Sequence, residues 1–204
     1  MARTGRPRGF DRDAALDAAM HLFWEHGYEP TTLNLLKEAM GGISPTSFYA
    51  AFGSKEALFR EVVERYRVTH GSVTDILRDE SLPPREVVET CLRRSVAMQT
   101  DVSHPIGCLV TQAATNCGPE NQFAADVLSA ERRANFEAIF KQVERDIASG
   151  HTPPDTDAHA VATFFSTFMV GIAASARDGA SREELERAVS LAMASWSVSL
   201  PTEQ

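Results

Sequence analysis

The residues best suited to chemistry in this 204-residue chain lie in one stretch, Thr31 to Lys55, TTLNLLKEAMGGISPTSFYAAFGSK. Between Ile43 and Phe52 no side chain carries a charge, and Ser44, Thr46, Ser47 and Tyr49 each bring a hydroxyl. Such groups exchange hydrogen bonds with phosphate oxygens and base edges, and an acid-free surface does not repel a polyanion. Lys55 follows one turn later, at the start of the next helical pattern. Backbone amides there already favour anions, so its ammonium can hold a phosphate.

Other candidates are weaker. The chain has no H-E-x-x-H, no G-x-S-x-G, no phosphate-cradling glycine loop and no dinucleotide fingerprint, so no nucleophile comes paired with a base. Asp155, Asp157 and His159 form a D-x-D-x-H string ahead of a helix, where acids are expected to cap. His21 and His26 are five apart, a spacing that does not put two ligands on one helix face. Cys91, Cys108 and Cys117 make an odd number, which argues against a disulfide framework, and they form no C-x-x-C. No metal site or cofactor is expected, and the chain reads as a non-enzyme.

The elements that position the hydroxyls follow from periodicity. Asp11 caps a first helix with the stripe Leu16, Ala19, Met20 and Phe23, ending at Gly27. Leu33, Leu36 and Met40 form the face of a second, stopped by Gly41-Gly42. Ser44-Pro45 starts a third, in which Phe48 and Phe52 point inward while Thr46, Ser47 and Tyr49 face out. That is a helix-turn-helix whose second helix can enter a major groove. Ser54 caps a fourth helix, expected to run through Phe59, Val62 and Tyr66 to about Ile76.

Charge is distributed in keeping with this. The net charge is −8, but residues 1–60 hold seven Lys/Arg and seven Asp/Glu, so the whole excess lies beyond them. Arg3, Arg6 and Arg8 sit in an acid-free N-terminal arm able to follow a groove or backbone. The expected organisation is an arm (1–9), a helix-turn-helix domain (10–55) and a larger helical domain (56–204), with S-L-P-P near residue 83 as punctuation. Only helical periods appear, so the fold class is all-α. Stripes are expected over 87–101, 107–117, 120–149, 157–177 and 183–198. The apolar run within 160–176 reads as too short and mixed to cross a membrane, and nothing resembles a signal peptide, so a cytoplasmic protein is expected. The last two helices can pair with those of a second copy as a four-helix bundle, through Phe164, Phe168, Gly171, Ala174, Leu185, Val189, Ala192 and Trp196.

The first 65 or so residues resemble the DNA-binding domain of the TetR family of bacterial regulators. ALDAAMHLFWEHGY in the first helix, PTTL opening the second, and ISPTSFYAAFGSKEALF across the third and fourth carry the likeness. The resemblance implies a homodimer on a palindromic double-stranded operator, a repressor released by a small molecule bound in the C-terminal core. It assigns Ser44, Pro45, Thr46, Ser47 and Tyr49 to the DNA-facing helix, and Thr31, Thr32, Tyr49 and Lys55 to phosphates. Gly41-Gly42 departs from the single glycine usual in that turn and lengthens it by a residue. Candidates for the ligand pocket are Cys91, Met98, Cys108, Gln112, Asn116, Phe136, Phe140 and Phe168. A metal- or thiol-responsive regulator using Cys108 and Cys117 is the alternative, followed by a ligand-binding protein or enzyme without a DNA role.

Overall fold

A computed structural model describes residues 10–196, and among them the secondary structure is helical throughout. Each early helix begins on the side chain its sequence offers. Asp11 accepts from the Ala14 N–H at 3.0 Å, opening α1 (Arg12–His26). Thr32, Ser44 and Ser54 do the same for α2 (Leu33–Ala39), α3 (Pro45–Phe52) and α4 (Lys55–Val68). Each such cap contributes about 1 kcal/mol.

α4 ends earlier than expected. The chain tightens into a 3₁₀ segment, His70–Arg78, rather than continuing as one helix to Ile76. Thr69, Ser72 and Thr74 turn their hydroxyls back on carbonyls three or four residues earlier, at 2.7, 2.5 and 3.1 Å, and Gly71 lowers the local helix propensity. Local side-chain bonds of this kind compete with the α-helical ladder. The second half contains α5 (Pro84–Gln99), α6 (Leu109–Gln112), α7 (Gln122–Ala148), α8 (Ala158–Arg177) and α9 (Arg182–Ala194). α6 is a single turn rather than the helix expected over 107–117, and a 3₁₀ turn (Pro119–Asn121) leads into α7. In α7 the inward positions are Ala124, Leu128, Ile139, Gln142, Val143 and Asp146, whereas Ala134 is exposed.

Two cores result. The first gathers Phe23, Trp24, Tyr28, Leu36, Phe48, Phe59 and Tyr66 from α1–α4 and continues into Leu109 and Leu128. Because α4 belongs to it, a division at residue 55 falls inside this core. The second packs α5 against α7, α8 and α9, with Phe165, Val189 and Trp196 fully enclosed. Asp146 anchors the end of this domain: its buried carboxylate accepts from the Thr152 hydroxyl at 2.5 Å and the Trp196 indole at 2.8 Å. Asp157 caps α8, its carboxylate accepting from the Ala160 N–H at 2.9 Å, and His159 packs edge-on against Phe136.

Two expectations about the last helices change. Leu185, Val189, Ala192 and Trp196 point into the protomer's own core and are not surface residues, because α9 uses that stripe to cover α5. α8, at 20 residues with mean hydropathy 1.4, is long and apolar enough to cross a membrane on those criteria, so length does not exclude a span. It is a core helix instead on one side, with Ala162, Phe165, Ile172 and Ala176 buried. Phe164, Val170, Gly171 and Ala174 remain on its open face.

Phe59 should be the most sensitive position of the first core, since its ring meets Phe23 at 5.1 Å and Tyr28 at 4.9 Å. Phe59→Ala should lower unfolding free energy by about 3–5 kcal/mol. Urea denaturation would show this as a lower midpoint at unchanged slope.

Candidate nucleic-acid interface

α3 is one-sided. Phe48 and Phe52 are buried, and the Phe52 ring also carries the Arg12 guanidinium, 4.8 Å from its centre. Ser44, Pro45, Thr46, Ser47 and Tyr49 all stand on the open face, with half of the Tyr49 surface exposed. The Ser44 oxygen is committed to the cap, accepting from the Ser47 N–H at 3.1 Å and sharing a hydrogen bond with the Ser47 hydroxyl at 2.9 Å. Thr46 and Tyr49 therefore present the least engaged hydroxyls. Gly41 and Gly42 both lie at positive φ, +82° and +76°, with open space around each. Two successive left-handed residues turn the chain from α2 into α3, a geometry that side chains with a Cβ resist.

The flanking positions separate. Thr31 is fully buried and its hydroxyl donates to the Gly27 carbonyl at 2.6 Å, so it braces the α1–α2 connection and does not reach a phosphate. Thr32 is exposed at the head of α2. Lys55 stands at the head of α4 with its ammonium 4.2 Å from the Tyr28 ring centre and 3.4 Å from the Glu29 carbonyl oxygen. Partial burial pushes its pKa down. Arg6 and Arg8 lie outside the described residues.

Behind this module lies a cavity of about 100 Å³ between the end of α4, the 3₁₀ segment, α5, α6, α7 and α8. Tyr66, Ser95, Gln99 and Cys108 are among its polar groups, and Val63, Val110 and Met169 are among its apolar walls. The Tyr66 hydroxyl donates to the Cys108 sulfur at 3.4 Å, and complete burial raises the phenol pKa well above its usual value. Of the eight residues expected to line a pocket, Cys108 does so. Cys91 lies in the second core, where burial pushes its thiol up to about 12. Met98 packs against the first core, Gln112 accepts from the Arg177 guanidinium at 2.6 Å, and Asn116 is exposed. Phe136 and Phe140 stack on each other, and Phe168 stacks on Phe164. The signal that marks the cavity in the sequence is Ser95 and Gln99, two polar residues four apart on the otherwise apolar stripe of α5. Among the described residues no group of three or more His, Cys, Asp or Glu side chains is placed to hold a metal ion.

Cavity and recognition module meet at a main-chain seam. The Tyr28 N–H donates to the Ala113 carbonyl at 2.6 Å, and the Gly118 N–H donates to the Glu29 carboxylate at 2.6 Å. Gly27, at φ +86°, brings the backbones together, since a Cβ there would lie 3.3 Å from the Ala113 oxygen. The segment from Cys108 to Gly118 thus touches the cavity at one end and grips the α1–α2 connection at the other.

A helix-turn-helix with an exposed, acid-free second helix, joined to a larger helical domain, defines a DNA-binding transcription regulator and not an enzyme. Residues 15–62 match the model for bacterial regulatory proteins of the tetR family, and residues 83–192 match the tetracyclin repressor-like C-terminal domain. The chain belongs to the TetR family. It is similar to the HTH-type transcriptional repressor ComR of Escherichia coli (strain K12), 35% identical over 94% of this chain and 91% of that one. It is also similar to the repressor BdcR of the same strain, 32% identical over 89% of this chain and 86% of that one. Among solved structures it is similar to a cysteine mutant of the TetR family regulator CifR in complex with 26-base-pair double-stranded operator DNA. That match has 44% identity, a TM-score of 0.85, and covers 94% of this chain and all of that one (100%).

Gly42→Ala should cost about 1–2 kcal/mol, because alanine must take the left-handed conformation. Denaturant unfolding measures the loss as a lower midpoint at unchanged slope.

Proposed function

We propose that this chain is a repressor that binds a palindromic operator as a homodimer and leaves it when a small molecule occupies the cavity. One observation carries the reading: α3 exposes Thr46, Ser47 and Tyr49 while Phe48 and Phe52 hold it in place, and a 44% identical regulator of the same fold is solved on operator DNA. On this reading Thr46 and Tyr49 approach base edges and backbone in the major groove, Thr32 and Lys55 meet phosphates, and the arm with Arg6 and Arg8 follows the adjacent backbone. The repressor names of ComR and BdcR support the sign of regulation. A protein of this kind works beside the chromosome, in the cytoplasm, with no membrane partner and no cofactor.

Dimerisation is proposed through the open face of α8. Phe164, Val170, Gly171 and Ala174 recur along it at helical spacing, and Leu191 on α9 is more than three-quarters exposed. Small residues among large ones allow two helices to approach closely. Dimerisation sets the separation of the two α3 helices, and half-sites one turn apart require centres about 34–36 Å apart. A ligand that prefers another separation weakens operator binding by its differential affinity, typically about 1–3 kcal/mol. The Cys108–Gly118 segment is the proposed transmitter, because it contacts the cavity and the recognition module alike.

A second reading, a regulator that responds through its thiol, is favoured by Cys108 alone, the one cysteine of three that lines the cavity. It requires iodoacetamide to release the operator from the wild type and not from Cys108→Ser.

Operator binding across a salt series tests the main reading. Tyr49→Ala and Lys55→Ala should each weaken binding to upstream intergenic DNA. Lys55→Ala should also flatten the salt dependence, by about one unit of log–log slope for the phosphate it no longer neutralises. Phe164→Glu should yield a folded monomer in analytical ultracentrifugation, with operator affinity reduced at least about tenfold. An unchanged dimer would move the interface elsewhere.

A further inference from the structure

The polar end of the cavity is incomplete. Ser95 and Gln99 sit one turn apart on α5, 1% and 3% exposed, and both line the cavity. The Ser95 hydroxyl and the Gln99 side-chain oxygen have no hydrogen-bond partner among the described residues. Buried polar groups without partners are costly, and two of them facing one space form a site that a ligand completes. Tyr66 stands beside them with its hydroxyl donating only to a sulfur, a weak acceptor that an oxygen would displace.

Accepting the effector reading above, on which this rests, we infer that the cavity takes a small uncharged hydroxyl compound. One hydroxyl meets both needs at once: it donates to the Gln99 oxygen and accepts from the Ser95 or Tyr66 hydroxyl. A ketone or ether of equal size lacks the donor and leaves the Gln99 oxygen unpaired. A carboxylate sets negative charge against that same oxygen, and the two guanidiniums at the cavity are already engaged, Arg67 by Glu64 and Arg132 by the Val110 carbonyl, each at 2.6 Å. An ammonium can donate to the Gln99 oxygen but has no lone pair with which to accept from the Ser95 or Tyr66 hydroxyl. The size suits a small molecule: benzene fits a cavity of about 150 Å³, and the roughly 100 Å³ here corresponds to an apolar tail of a few carbons.

The test uses full-length protein, calorimetric titration, and operator release measured in parallel. The probes are 1-butanol, 2-butanone, butyrate and n-butylammonium. 1-Butanol should bind at least about tenfold more tightly than 2-butanone and should release the operator at concentrations that track its binding. Gln99→Met, similar in volume but without the acceptor, should bring alcohol and ketone within about twofold. Ser95→Ala, which should weaken the alcohol while preserving its lead, serves if Gln99→Met does not fold. A ketone that binds as well as the alcohol, or a charged probe that binds best, overturns the inference. If no probe binds while the wild type still binds its operator, the hydroxyl assignment fails and the regulator reading stands. If neither operator nor probe is bound, both fail.

Discussion

The structure turns on the seam where the Tyr28 N–H meets the Ala113 carbonyl and the Glu29 carboxylate meets the Gly118 N–H. These two bonds join segments far apart in sequence, and Gly27 is what lets them approach. Besides the seam, α1–α3 rest on the second domain through α4 and through rings, Trp24 stacking on His104 at 4.6 Å and Tyr28 meeting Phe123 edge-on at 5.0 Å. With it, the orientation of the recognition helix depends on the same short segment that lines the cavity. Each bond in isolation is worth only about 1 kcal/mol. Their weight comes from position, since they tie the end of α6 directly to the α1–α2 connection.

Around the seam the two cores have different tasks. The first is dense in aromatic rings: Phe23, Tyr28 and Phe59 meet one another, and Trp24 meets Tyr66 edge-on at 4.9 Å. Such a core holds α3 in a fixed register, which a reader of base edges needs. The second core is built from longer helices around a space it does not fill, and it leaves one side of α8 uncovered. Its acidity fits the division of labour, because the −8 lies beyond residue 60 and keeps that body away from a polyanion while the neutral module approaches.

The recognition module is largely legible in the sequence. Asp11, Thr32, Ser44 and Ser54 announce helix starts by capping chemistry that is local, and Phe48 and Phe52 declare the inward side of α3 by spacing alone. Thr31 misleads, because a threonine beside an N-cap looks available until the fold brings the Gly27 carbonyl within reach. α4 ends early for a related reason: hydroxyl back-bonding by Thr69, Ser72 and Thr74 outweighs an apolar stripe that suggests continuation. The α9 stripe is visible, but the partner it faces is not, since an amphipathic helix looks the same whether it covers its own core or a second copy. The cavity is least legible. It lies where six segments converge, and of the residues expected there only Cys108 arrives, while Ser95 and Gln99 become meaningful once their lack of partners is seen.

The central claim is that two copies of α3 read symmetric half-sites, and selection of genomic fragments by the full-length protein tests it most directly. The account predicts that bound fragments share an inverted repeat whose half-site centres lie about 34–36 Å apart, protected on one face of the duplex. Enrichment of fragments without two-fold symmetry, or no enrichment over random DNA at moderate salt, would contradict it.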